Sequence, residues 1–169
     1  AERAHALDFQ PRAGDSVLDV GCQSGGFLAY SWLIQAAYGP DAAGPHVGIE
    51  IDPDYVACAR DLARAGRMNL CVRRADVVRE FDATVEWARA YFGGRVDHML
   101  LLSLEKHIGE DVLWRLVDAL RPRRTYLETN AQSDGKYRMR DEVERRGGRY
   151  VGDSNDRNPR RLYRIEAPA

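Results

Sequence analysis

Cysteine is scarce in this chain: there are only Cys22, Cys58 and Cys71, far apart and without paired spacing. That excludes a disulfide scaffold and a cysteine-built zinc cluster, and it favours a reducing compartment. Long apolar runs are missing as well. No segment has the length of a membrane span, and the start has no basic stretch followed by an apolar core of the signal-peptide kind. A cytoplasmic protein without a membrane partner is the expectation. No charge sign dominates: 25 Lys and Arg stand against 26 Asp and Glu, a formal net charge of -1. Nothing global then pulls the chain toward nucleic acid, which becomes a partner only through a local basic face. Internal repeats and low-complexity tails are absent. So is an initiator Met, since the chain begins AERAH. Processing or excision from something longer is expected, which leaves room for an additional N-terminal region or a homo-oligomer.

What is present, 44% hydrophobic and 30% charged residues over 169 positions, is the composition of a single soluble globular domain. Its organising stretch is Ser16 to Leu28, SVLDVGCQSGGFL. A short apolar run carrying Asp19 meets a turn of Gly21, Ser24, Gly25 and Gly26, and a segment of helical spacing follows from Phe27. That is a buried strand feeding a tight loop into a helix, the place where an α/β sheet holds a nucleotide-like ligand.

The same grammar recurs along the chain. After a truncated helical end before Phe9, strands are expected at Val17 to Val20, Val47 to Ile51, Leu70 to Arg74, Val96 to Leu104, Thr125 to Glu128, Arg149 to Gly152 and Leu162 to Ile165. Between them, helices are expected over Gly25 to Ala37, Pro53 to Ala65, part of Asp76 to Arg95, Glu110 to Leu120 and Asp134 to Arg146. The inward face of the first would carry Leu28, Trp32, Leu33, Ala36 and Ala37, and that of the second Val56, Ala59 and Leu62. Near-continuous apolarity from Val96 to Leu104 marks a central strand buried on both faces, with His98 a satisfied core residue. The fold class is α/β, a mostly parallel seven-stranded sheet with an antiparallel C-terminal edge and helices on both faces.

A glycine-rich first turn alone fits dinucleotide oxidoreductases, methyl-donor enzymes, or a loop that is glycine-rich for packing. Glu50, at the end of the second strand, sharpens the ligand reading, because a carboxylate there can accept the hydroxyl hydrogens of a ribose. A P-loop is excluded by the absence of GKS or GKT after the glycines. GCQSGGF also lacks the spacing of the nicotinamide fingerprint.

In their order, VLDVGCQSGGF, VGIEID with Glu50, RADV with Asp76, and a strand running into SLEKHIG resemble the class I S-adenosylmethionine-dependent methyltransferases over nearly the whole chain. The resemblance implies a Rossmann-like methyltransferase fold with S-adenosyl-L-methionine as cofactor. Its methionine part would lie against Asp19, Gly21, Cys22, Gly25 and Phe27, the ribose at Glu50 and Ile51, the adenine at Asp76 and Val77, with Ser103 beside the donor. One departure is Gln23, which stands where the family usually has its middle glycine. Phe27 is bulky for its place, its ring either core or a cap on the crevice.

Methyl transfer to a hydroxyl needs alignment and a base. His107 is the expected base, because imidazole changes charge nearest neutrality, and Glu105 orients it or binds the acceptor. Lys106, Glu128, Asn130 and Arg138 are the expected substrate contacts. No metal is expected. Arg138, Arg140, Arg157, Arg160 and Arg161 form either a basic rim or ordinary ion-paired surface. The leading function is O-methylation of a small polar or carbohydrate-like acceptor. The alternatives are methylation of RNA or protein, a non-catalytic donor-binding domain of a larger protein, and a dehydrogenase.

Overall fold

The computed structural model describes residues 2–39, 41–130, 139–154 and 160–167. The elements are α1 (Glu2–Ala6), β1 (Val17–Val20), α2 (Gly26–Ala36), β2 (His46–Glu50), α3 (Pro53–Ala65), β3 (Leu70–Arg74), α4 (Phe81–Phe92), β4 (His98–Leu102), α5 (Glu105–Ile108), α6 (Glu110–Leu120), β5 (Arg124–Asn130), α7 (Met139–Arg145), β6 (Arg149–Asp153) and β7 (Arg160–Glu166). The seven strands form one sheet in the order β3-β2-β1-β4-β5-β7-β6. The first five run parallel, and β7 is antiparallel to both β5 and β6. The expected fold class holds in full. The order reverses direction between β1 and β4, and at such a switch point the strand ends leave a crevice open to a ligand.

Alternation along the strands builds two cores. Leu18, Val20, Met99, Leu101 and Leu127 face α4, α6 and α7 through Val85, Ala88, Leu113, Leu116 and Val143. Val17, Leu100, Tyr126 and Leu162 face α1, α2 and α3 through Leu7, Leu28, Val56 and Ala59. Each core strand gives side chains to both layers, which explains why the β1 and β4 sequences are almost uninterruptedly apolar. Asp52 caps α3 by accepting from the Asp54 amide at 2.8 Å, with Pro53 opening the helix.

Several expectations are corrected. In α2 the buried face is Leu28, Ala29, Ser31 and Gln35, while Leu33 is 56% exposed. Apolar spacing misreads this helix because its buried polar residues are bonded. Gln35 Nε2 donates to the Asp15 carbonyl at 2.8 Å and Oε1 accepts from the Gly44 amide at 2.6 Å, and Ser31 meets the His46 ring at 2.9 Å. In α3, Ala63 is buried and Leu62 sits at the edge. The fourth strand stops at Leu102, short of Leu104, because Ser103 turns left-handed at φ 59° and a one-turn helix, α5, follows. The last two strands extend to Asp153 and begin at Arg160. The expected helix from Asp134 is described only from Met139.

His98 is the satisfied core residue the sequence suggests. It is 1% exposed, its Nε2 donates to Asp15 Oδ2 at 2.8 Å, and its Nδ1 accepts from the Tyr126 hydroxyl at 3.2 Å. Burial pushes the His98 pKa down against the pull of Asp15, so the ring is held neutral. Burial also raises the Tyr126 phenol to about 12.

Candidate functional site

The crevice begins where β1 ends. Gly21, Gln23 and Gly25 all take left-handed backbone, at φ 75°, 49° and 76°. The Gly21 and Cys22 amides both donate to the Ile49 carbonyl, at 2.8 and 3.2 Å, and the Gly25 amide donates back to Cys22 O at 2.9 Å. A Cβ on Gly21 would stand 2.6 Å from Leu104 Cδ2, and one on Gly25 would stand 3.0 Å from Ala59 Cβ, whereas one on Gly26 would meet nothing within 4 Å. Gly21 and Gly25 are therefore favoured by their left-handed backbone and sit close to a neighbouring side chain, while the third glycine opens onto free space. Gln23 takes the conformation a glycine would, so the missing middle glycine leaves the turn intact. Left-handed backbone costs a residue with a side chain about 1–2 kcal/mol. Part of that cost is offset because the Gln23 amide donates to Glu50 Oε2 at 2.9 Å.

Glu50 is 7% exposed. Its Oε1 accepts from the Ile51 and Asp52 amides at 2.8 and 3.0 Å. With the Gln23 contact, three of the roughly four acceptor positions of a carboxylate are taken inside the chain. Ile51, 56% exposed, is an apolar surface beside it. Asp76 lies at the end of the neighbouring strand, its Oδ1 accepting from the Val78 and Arg79 amides at 3.0 and 3.2 Å. Val77 is buried in the core and Val78 is exposed, so a ligand there meets the backbone of Val77 and not its side chain. Asp19 is buried at 4%. Burial first, then the Asp19 and Glu50 carboxylates, push the Cys22 thiol far above its ordinary range. It stays protonated. The half-buried Phe27 ring packs edge-to-face on Phe9, centroids 5.2 Å apart, against the core on the α1 side of the sheet.

The other half of the crevice lies past β4 and β5. The Ser103 amide donates to the Glu128 carbonyl at 3.0 Å, and its hydroxyl donates to Glu128 Oε2. Arg160 Nη1 reaches both that hydroxyl and, at 3.1 Å, the same carboxylate oxygen. Glu128, expected on the rim, is 1% exposed and ion-paired to Arg160. It is a buried anchor, because its side chain shares the face of the sheet that Leu162 packs. Glu105 and His107 do not form the expected orienting pair. Two residues apart on α5, they face different sides: Glu105 is 3% exposed, whereas Lys106 and His107 are exposed. The Asn130 side chain and all of Arg138 lie outside the described residues. Of the arginine rim, Arg140 bonds Glu144 at 2.8 Å and Arg160 bonds Glu128, the ion-paired arrangement.

Sequence reasoning missed two members of this site. Leu104 closes on Gly21, and nothing in its residue type announces that contact. Arg160 lies 57 positions from Ser103, and only the β5–β7 pairing brings them together. Among the described residues no group of three or more His, Cys, Asp or Glu is gathered to hold a metal ion, and no helix is long and apolar enough to cross a membrane. A cavity of about 820 Å³ lies at the opposite end of the sheet, against Pro122, Thr125 and Ile165. It has neither the glycine turn nor Glu50, so the crevice at the strand ends is the better candidate.

No protein-family model matches this chain, and no curated protein matches it. Solved structures do match. The bifunctional kinase-methyltransferase WbdD aligns with 98% of this chain and 37% of its own at 21% identity and a TM-score of 0.62. TrmK of M. capricolum, in complex with S-adenosyl-homocysteine, aligns with 96% of this chain and 66% of its own at 8% identity and 0.62. An RNA methyltransferase from Salinibacter ruber, also in complex with S-adenosyl-L-homocysteine, aligns with 97% of this chain and 88% of its own at 18% identity and 0.59. The fold is thus the Rossmann-like fold of class I S-adenosylmethionine-dependent methyltransferases. This chain spans little more than a third of the length of WbdD.

Proposed function

We propose that this chain is an S-adenosylmethionine-dependent methyltransferase that methylates a hydroxyl of a small polar or carbohydrate-like acceptor. The observation that carries the reading is the left-handed Gly21–Gly25 turn bonded to Glu50 at the switch point of the sheet. The residues present fit the cofactor: Glu50 keeps one acceptor position toward a ribose hydroxyl, Ile51 offers an apolar face to an adenine, Asp76 stands at the adenine end, and the backbone of Gly21, Cys22 and Gly25 with Asp19 borders the methionine part. When bound, the cofactor supplies a methyl group on a positively charged sulfur, already electrophilic. The chain itself has to align the acceptor and take a proton. His107 takes the hydroxyl proton on an imidazole nitrogen, being the exposed imidazole just past β4, while Lys106 beside it meets an anionic group of the acceptor. Glu105 is left in the foundation of α5.

The solved structures that carry RNA methylation in their names share the fold, but two arginines of the expected rim, Arg140 and Arg160, are ion-paired, which favours the small acceptor. The test is calorimetric titration with S-adenosylmethionine, with reduced nicotinamide cofactor as comparison. Acceptors are then screened by S-adenosylhomocysteine release from sugars, hydroxylated metabolites and RNA. Binding of the sulfonium donor alone is expected. Binding of neither would overturn the enzyme reading, and release with RNA only would replace the acceptor class.

A further inference from the structure

We propose that Arg160 is a positioning residue of the methyl-transfer site: through Glu128 it fastens Ser103 in a left-handed turn, and so fixes where α5 and its His107 stand. The catalytic consequence rests on the methyltransferase reading, whereas the fastening is a property of the free chain. Ser103 leaves β4 at φ 59°. Such backbone is unfavourable for a residue with a side chain, which holds it only when its surroundings over-determine it. Here they do. Its amide is held by the Glu128 carbonyl, its hydroxyl by the Glu128 carboxylate, and both the hydroxyl and the carboxylate by Arg160. Glu128 is buried, and the Arg160 guanidinium is a cation set directly against its carboxylate. Arg160 is itself anchored: its amide donates to Ser154 Oγ at 3.1 Å and its carbonyl accepts from the Ser154 amide at 2.8 Å. The C-terminal hairpin thereby carries a guanidinium into the ends of β4 and β5.

What the turn controls lies one residue on. Leu104 packs against Gly21, and its carbonyl accepts the His107 and Ile108 amides at 2.8 and 3.1 Å. If Ser103 relaxed to ordinary backbone, the chain would leave β4 in another direction, and α5 would move with it.

Hydrogen exchange on the free protein tests the fastening, following a peptide over Ser103 to Gly109 with a β1 peptide as internal reference. Arg160→Ala is expected to speed exchange of the first peptide about tenfold and leave β1 unchanged. In a Ser103→Gly background, where left-handed backbone carries no side-chain penalty, the same change is expected to speed it less than about twofold. Wild-type exchange in Arg160→Ala, or equal acceleration in both backgrounds, would overturn the proposal. If Arg160→Ala also loosens β1, Arg160→Lys keeps a cation beside Glu128 while losing the planar fork, and the same comparison of backgrounds decides. With an acceptor in hand, Arg160→Ala is expected to lower kcat about tenfold at unchanged donor affinity, and an unchanged kcat would remove the catalytic half. Failure of the wild type to bind S-adenosylmethionine would sink the methyltransferase reading but not the exchange result.

Discussion

The two halves of the crevice are built by different means. On the β1–β2 side the lining is main chain: three left-handed residues in five, with the Gly21 amide turned onto Ile49, that of Gln23 onto Glu50 and that of Gly25 back onto Cys22. On the β4–β5 side it is side chain: a serine, a buried glutamate and an arginine from the far end of the sequence. Backbone cannot be exchanged by a point mutation, so the first half suits a ligand that never changes. Side chains can, so the second half is free to differ between proteins that share the fold.

The comparison breaks most visibly at His107. Changing it to Ala is expected to lower turnover at least about a hundredfold while donor affinity, read by calorimetry, stays within about twofold. An unchanged rate would remove it as the base and leave the acceptor half without a proton acceptor. Glu50→Ala strikes the other half. Donor affinity is expected to fall about a hundredfold, equivalent to about 2.7 kcal/mol, and stability by about 1 kcal/mol because three part-buried amides lose their acceptor. Wild-type affinity in this variant would mean the ribose is held elsewhere. Gly21→Ala should cost about 2–4 kcal/mol in denaturant unfolding, from left-handed backbone and the collision with Leu104 together. A cost under about 1 kcal/mol would show that Leu104 yields freely.

A smaller effect comes from the rings below the crevice. Burial lowers the pKa of both His46 and His98. Each imidazole then binds its proton more readily in the unfolded chain, so stability is greatest above the ordinary histidine pKa of about 6.5 and declines as pH falls below it. Thermal melting is expected to be flat from pH 8 to 7 and to drop toward pH 5.5. A flat profile across that window would contradict neutral buried rings. The smallest expected change is Gln23→Gly, within about 0.5 kcal/mol of wild type, because the relief of left-handed backbone is cancelled by added freedom in the unfolded chain. A large gain would mean that Gln23 stores real strain in the turn.

The glycine-turn half of the crevice was legible in the sequence because its parts are local. Asp19, Gly21 and Gly25 occupy one turn, and Glu50 and Asp76 each end a strand that its own apolar run announces. The mostly parallel sheet with its antiparallel edge followed from the alternation of strands and helices. What escaped was whatever depended on partners distant in sequence. Ser31 and Gln35 look like an exposed stripe until His46, Gly44 and the Asp15 carbonyl are brought beside them. Glu105 and His107 look like a pair until a one-turn helix sends them to different sides, and no apolar periodicity signals a helix of four residues. Arg160 reads as surface charge until β7 lies against β5.

The buried Cys22 thiol has a practical corollary. It packs behind the donor turn and stays protonated, while Cys58 is exposed and Cys71 half-buried. A thiol reagent reacts through the thiolate, so it will modify Cys58 readily and find Cys22 only in molecules whose turn has sprung open. The chain therefore carries its own stopwatch: the slow labelling of Cys22 counts how often the turn opens, and a ligand seated on that turn would lengthen the count.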